Sequence, residues 1–275
     1  MLSTFTFKKA TVSRKKQTEV DQARSLALLW GSHSRPGRSG LTVRAIVAAA
    51  IELADAEGID AVAMRSLAER LKVGTMSLYT HIGDKAALAD LMADAAYGEL
   101  YENVDEPLRQ PGGWRAALTF IATRNWSLYQ RHPWMLDVVR TRPLLGPNVS
   151  LKYEAELRPL DNLGLSDIEM DSVLTLVLAH VESVARSQAN IRRAQRDTGM
   201  SDAEWWVATA PLLATLMDGA QFPTAARVGQ AAGEAYQATS DPAHAFSFGL
   251  ERILDGVALL IASRAGQAVE RRPGI

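Results

Sequence analysis

Residues 64–88 read MRSLAERLKVGTMSLYTHIGDKAAL. Leu67, Ala68 and Leu71 recur at helical spacing, so Met64 to Leu71 is expected to form a short helix with those side chains inward. Lys72, Val73 and Gly74 supply a turn, and Thr75 to His81 a second short helix. Helix, glycine-containing turn, helix is the helix-turn-helix pattern. A helix of that length rises about 10 Å, which suits a DNA major groove about 12 Å wide. Val73 and Leu78 are expected to anchor inward. Thr75, Met76, Ser77, Tyr79 and Thr80 remain outward. There hydroxyls can bond phosphate or base edges, and a methionine can touch a thymine methyl.

On the N-terminal side of this stretch, Ile46, Val47, Ala50, Ile51 and Ala54 predict a helix from Thr42 to Gly58, with the glycine as its C-cap. On the C-terminal side, Asp84 is an N-cap for a fourth helix through Leu88, Leu91, Met92 and Ala95. A break over residues 105–113 contains Pro107, Pro111, Gly112 and Gly113. Further on, Ser166 with Glu169 and Ser201 with Glu204 are capping boxes. Asp241 before Pro242 is a third helix start. Helical patterning runs from Ser166 to about Arg196 and from Asp241 to about Gly266. Both stretches far exceed the mean helix of about 11–12 residues. Sustained alternation and hairpin turns are absent. The expected fold class is all-α: a basic, largely disordered arm (1–40), an N-terminal three-helix helix-turn-helix DNA-binding domain (41–104) and a larger helical domain (111–266).

The chain of 275 residues has 30 Lys and Arg against 31 Asp and Glu, and no cysteine. Taken whole, near-neutrality argues against a nucleic-acid partner. Taken by segment it does not. Residues 1–40 hold Lys8, Lys9, Arg14, Lys15, Lys16, Arg24, Arg35 and Arg38 against only Glu19 and Asp21. The remainder is mildly acidic. Basic tails of this kind contact phosphate or simply keep a protein in solution. The lack of cysteine excludes disulfides, cysteine-ligated zinc, iron–sulfur clusters and a thiol nucleophile, and fits a reducing compartment. No apolar run precedes a small-residue cleavage site, and stretches such as Val257–Ala262 fall far short of the ~20 residues of a membrane span. A cytoplasmic location without a membrane partner is expected.

Taken together, these stretches resemble the TetR family of transcriptional regulators. The run from Leu78 to Leu88, with Tyr79, His81 and Lys85, is similar to that family's most specific segment. Gly113 to Asn148, with Trp114, His132, Pro133, Trp134 and the run from Arg142, is similar to TetR-type ligand-binding domains of actinobacteria, as is Phe246 to Gly256. The resemblance covers about residues 24–266. It implies that Arg65 contacts phosphate or a guanine edge and that Thr75, Met76 and Ser77 face bases. It also implies that Tyr79, Thr80 and His81 hold the phosphate backbone. Lys85 would add a phosphate contact beside a helix N-terminus, and Arg44 a further one. On the residues alone, packing on the first helix is an alternative for Tyr79, and a helix-end cap one for His81. Two positions depart from the family pattern. Ala63 and Met64 replace a Ser or Thr before the second helix, and Lys72 stands where glycine is usual, which demands a positive φ.

Trp114, Trp126, Trp134, Met135, His180, Trp205 and Met217 are candidates for a ligand pocket, with ordinary core packing as the alternative. His180 lies in the apolar run Val173 to Val184, where a buried imidazole needs a partner. The resemblance implies a homodimer through the two long helices and a pair of recognition helices about 34 Å apart. The expected function is a repressor released from a palindromic double-stranded DNA operator by a small-molecule effector. A ligand-independent regulator or activator is the second reading, and an all-α enzyme the third. The enzyme lacks support: no HExxH, Glu-x-x-His pair, phosphate loop or GxSxG occurs, and the five histidines are scattered. No metal or cofactor is expected.

Overall fold

The computed structural model describes residues 23–31, 41–138, 143–217 and 219–270. Among the described residues the chain is all-α, as expected, with eleven α-helices. They are α1 (residues 23–29), α2 (Val43–Glu57), α3 (Met64–Leu71), α4 (Thr75–Ile82), α5 (Lys85–Tyr97), α6 (Gly113–Arg131), α7 (Pro147–Leu157), α8 (Asp167–Thr198), α9 (Asp202–Leu216), α10 (Pro223–Tyr236) and α11 (Pro242–Glu270). They gather into two compact units, one of Met1–Gln110 with Arg131–Arg158 and one of Pro111–Gln130 with Pro159–Ile275.

The first unit is built on α2 to α5. Thr42 caps α2 by accepting from the Ala45 N–H at 3.1 Å, and Gly58 ends it at φ 88°. The apolar stripe buries Ile46, Val47, Ala50, Leu53 and Ala54. Leu67 and Ala68 of α3, Leu78 and Ile82 of α4, and Leu88 and Met92 of α5 join this core. Truncating any of the buried leucines to alanine costs about 2–5 kcal/mol. Ala63 offers α3 no side-chain cap, and Lys72 ends that helix in the left-handed region at φ 55°, as its place in the turn demands. Asp84 caps α5 by accepting from the Ala87 N–H at 2.8 Å. α7 begins at Gly146 and Pro147, where Asp94 of α5 accepts from the Val149 N–H at 3.0 Å and from Asn148 Nδ2 at 3.0 Å. A carboxylate from one helix thus caps the start of another.

Within the arm, residues 1–22 and 32–40 lie outside the described residues. Residues 23–29, within an arm expected to be largely disordered, are helical. The apolar patch from Leu26 to Trp30 explains the difference. Leu28 is buried, and the Trp30 indole donates to the Leu145 carbonyl at 2.9 Å, across 115 positions of sequence. Local pattern carries no sign of so remote a partner.

In the second unit the long helices α8 and α11 pack on each other. α8 buries Val173, Leu174, Val177, Val181 and Val184, and α11 buries Leu250, Leu254 and Val257. Arg115 of α6 reaches Asp255 of α11 at 2.7 Å, and Arg264 Nε of α11 reaches Glu169 of α8 at 2.9 Å. Both expected capping boxes form, at Ser166 with Glu169 and at Ser201 with Glu204. Asp241 caps α11 by accepting from the Ala243 and His244 N–H groups at 2.9 and 3.2 Å. None of the 15 residues of α9 is buried, although it carries Trp205, Val207, Leu212, Leu213 and Leu216.

Candidate nucleic-acid interface and effector region

Two short helices and a left-handed turn set the geometry of the interface. Leu78 and Ile82 hold α4 down, being 0% and 2% exposed, so the opposite side of that helix faces outward. Met76 is 76% exposed and Tyr79 42%, so the tyrosine does not pack as a core residue. Thr80 is exposed, while Thr75, Ser77 and His81 are half-buried along the same helix. The Thr80 hydroxyl donates to the Met76 carbonyl at 3.0 Å, which commits its proton to the helix and leaves its lone pairs outward. Arg65 sits in the first turn of α3 with its side chain 87% exposed, pairing with Glu69 at 3.1 Å. A pair this exposed is worth ~0–1 kcal/mol and yields readily to a phosphate. Lys85 opens α5, and Arg44 lies in the first turn of α2; both are exposed. Arg70 of α3 bonds Glu52 of α2 at 2.9 Å, a surface ion pair between the two helices. The nine candidate DNA-contact residues therefore all lie in the first unit, on α2, α3, α4 and α5.

The seven candidate pocket residues divide between the units. Trp134 and Met135 belong to the first, 2% and 5% exposed, and the Trp134 indole is spent on Asp55 at 2.8 Å. Of the other five, Trp126 and His180 are brought together by Phe246 of α11. Trp126 meets its ring edge-on at 4.3 Å between centroids, and His180 stacks on it at 6.3 Å. His180 Nε2 lies 3.1 Å from the Phe246 carbonyl oxygen. A carbonyl only accepts, so Nε2 carries the proton and Nδ1 of a neutral ring is the acceptor. Trp205 is 46% exposed on α9; Trp114 and Met217 are half-buried. Sequence reasoning named the tryptophan and the histidine but not the phenylalanine between them, which stood only inside the terminal motif. It also missed Asp55 and Glu99, which flank His132 at 2.7 and 3.1 Å. Among the described residues no cluster of three His, Cys, Asp or Glu side chains could hold a metal ion, and no helix is long and apolar enough to cross a membrane.

This arrangement is that of a helix-turn-helix transcriptional regulator with a helical second unit. Comparison with known proteins agrees. The family described as bacterial regulatory proteins, tetR family, matches residues 46–92, and the tetracyclin repressor-like, C-terminal domain matches residues 106–261. The HTH-type transcriptional repressor DrrR1 of Streptomyces coeruleorubidus is 39% identical over 256 residues, 90% of either chain. The tetracycline repressor protein class A from transposon 1721, of Escherichia coli, is 29% identical over 218 residues, 78% of this chain and 88% of that one. Among solved structures, the TetR family protein ActR of Streptomyces coelicolor in complex with (S)-DNPA superposes with a TM-score of 0.65 at 29% identity, over 80% of this chain and 98% of that one. The chain belongs to the TetR family.

Proposed function

We propose that this regulator is a homodimeric repressor that binds a palindromic operator through α4 and is released by a small-molecule effector. The exposed row on α4, above the fully buried Leu78, carries this reading. Met76 and Tyr79 stand clear of the core, and Arg65, Lys85 and Arg44 supply cations on the neighbouring helices. In this reading Thr75, Met76 and Ser77 face bases, while Tyr79, Thr80 and His81 hold the backbone. Substituting Tyr79→Ala is expected to weaken operator binding roughly tenfold or more, in line with ~1–3 kcal/mol for a lost contact. The dimer and the thermal unfolding of the free chain stay as they are. An unchanged mobility shift for this variant sinks the placement of α4 in the groove.

A dimer through α8 and α11 is supported by the apolar side chains these helices leave outward. Leu176 is 52% exposed and Leu259 73%. The groove between the two helices is lined by Ser172, Leu176, Ile253, Gly256 and Leu260. Apolar faces of this kind mark association surfaces. The effector reading is supported by the complexes of ActR with (S)-DNPA and with actinorhodin, and by the ring cluster of Trp126, Phe246 and His180. Such a cluster favours a flat, largely apolar molecule, and His180 Nδ1 would accept a hydrogen bond from it.

A further inference from the structure

His132 follows the last residue of α6 and lies within the first unit, its side chain only 7% exposed. Nδ1 is 2.7 Å from Asp55 Oδ1, and Nε2 is 3.1 Å from Glu99 Oε2. The same Asp55 oxygen accepts the Trp134 indole N–H at 2.8 Å, and Arg131 Nη2 stands 3.4 Å from the same Glu99 oxygen. Three stretches of chain meet at this ring: the last turn of α2 through Asp55, the residues after α5 through Glu99, and the end of α6 through Arg131. α2 and α5 are the helices that flank the helix-turn-helix. Carboxylates accept and do not donate, so both hydrogen bonds form only when both ring nitrogens carry protons. A neutral ring keeps one bond and turns a lone pair toward the other carboxylate.

We infer that His132 is a positioning residue for operator binding. As an imidazolium it fastens α2 to the segment after α5. Operator affinity falls as pH rises and the ring gives up its second proton. The inference rests on the operator-binding reading above. Its effect on the DNA-free chain, however, does not depend on that reading.

The test measures operator affinity by fluorescence anisotropy, and thermal unfolding of the DNA-free chain, between about pH 5.5 and 8.5, the range in which histidine ordinarily changes charge. The unsubstituted chain is expected to lose about three- to tenfold in affinity from pH 6 to 8; a single linked proton allows at most about tenfold per pH unit. Glu99→Gln is the discriminating variant. Its amide can donate to a neutral Nε2 while Nδ1–H still serves Asp55, so the clamp survives without the second proton. This variant is expected to keep its affinity at pH 8 and to flatten both profiles. His132→Gln flattens them at a lower affinity. His81→Gln, on α4, is expected to lower operator affinity at every pH, as a lost backbone contact, and to leave the pH dependence of melting in the DNA-free chain unchanged. Profiles of Glu99→Gln that superimpose on those of the unsubstituted chain overturn the inference, as does His81→Gln abolishing the entire pH dependence of operator binding. Failure of the unsubstituted chain to bind operator at any pH overturns the operator reading, and the melting profiles then decide the clamp alone.

Discussion

Single residues hold several joints of this molecule. Gly146 is one. A Cβ built there would lie 2.1 Å from Asp94 Oδ1, the oxygen that also receives the Val149 N–H. Burial pushes the Asp94 carboxyl above its ordinary value, and the bonds from Val149 and Asn148 pull it back. Gly146→Ala drives a methyl into this cap and is expected to destabilise the fold by about 1–3 kcal/mol, the usual cost of overpacking. Urea unfolding followed by circular dichroism checks it, and an unshifted midpoint contradicts the role given to Asp94. Neither Asp94 nor Asp55 was legible as a joint, because their partners lie 54 and 77 positions away in the chain. Lys72 was legible. It stands where the turn of the family usually has glycine, so the resemblance implied the positive φ that the structure has.

Elements were legible where local chemistry starts them. The capping boxes at Ser166 and Ser201 placed the beginnings of α8 and α9 correctly. The far ends of α8 and α11 ran slightly beyond the expected limits, to Thr198 and Glu270, since the apolar stripe fades before the hydrogen bonding does. α10 gave no comparable signal. Its Gly233 packs against the Trp206 ring, where a Cβ would come within 2.7 Å, and such a contact leaves no periodic trace. At the start of α8 the Ser166 N–H, then Arg264, then the Ser166 hydroxyl hold the Glu169 carboxyl down to about 2, from an ordinary 4.5. Its folded value lies below the unfolded one. Its contribution to stability is therefore complete above about pH 4.5 and disappears as pH falls toward 2. Glu169→Gln is expected to remove that portion of the acid dependence, leaving a flatter melting temperature across the window. A variant whose acid limb matches the unsubstituted protein would falsify the assignment.

At the scale of the whole molecule, the net charge of −1 concealed the arrangement. The basic residues expected to assist DNA binding concentrate in the arm, whose residues 1–22 and 32–40 lie outside the described structure. The helix at 23–29 lies within that arm. The class was legible because the helix-turn-helix is local. The ring cluster of Trp126, His180 and Phe246 was only half legible, because it joins three helices far apart in sequence.

The exposed apolar side chains of α9 set a condition on the molecule's own abundance. The helix begins from local chemistry at Ser201, and although Trp206 meets Gly233 of α10, it leaves Trp205, Val207, Leu212, Leu213 and Leu216 exposed. The homodimer proposed above would cover these apolar side chains, and mass action would then make the protein its own stabilising ligand. The thermal midpoint is expected to rise with protein concentration, and the amides of α9 to exchange faster in dilute samples. A midpoint and an exchange rate indifferent to concentration would show that α9 stands alone. A cell holding few copies would, on this account, hold a looser protein as well as a scarcer one.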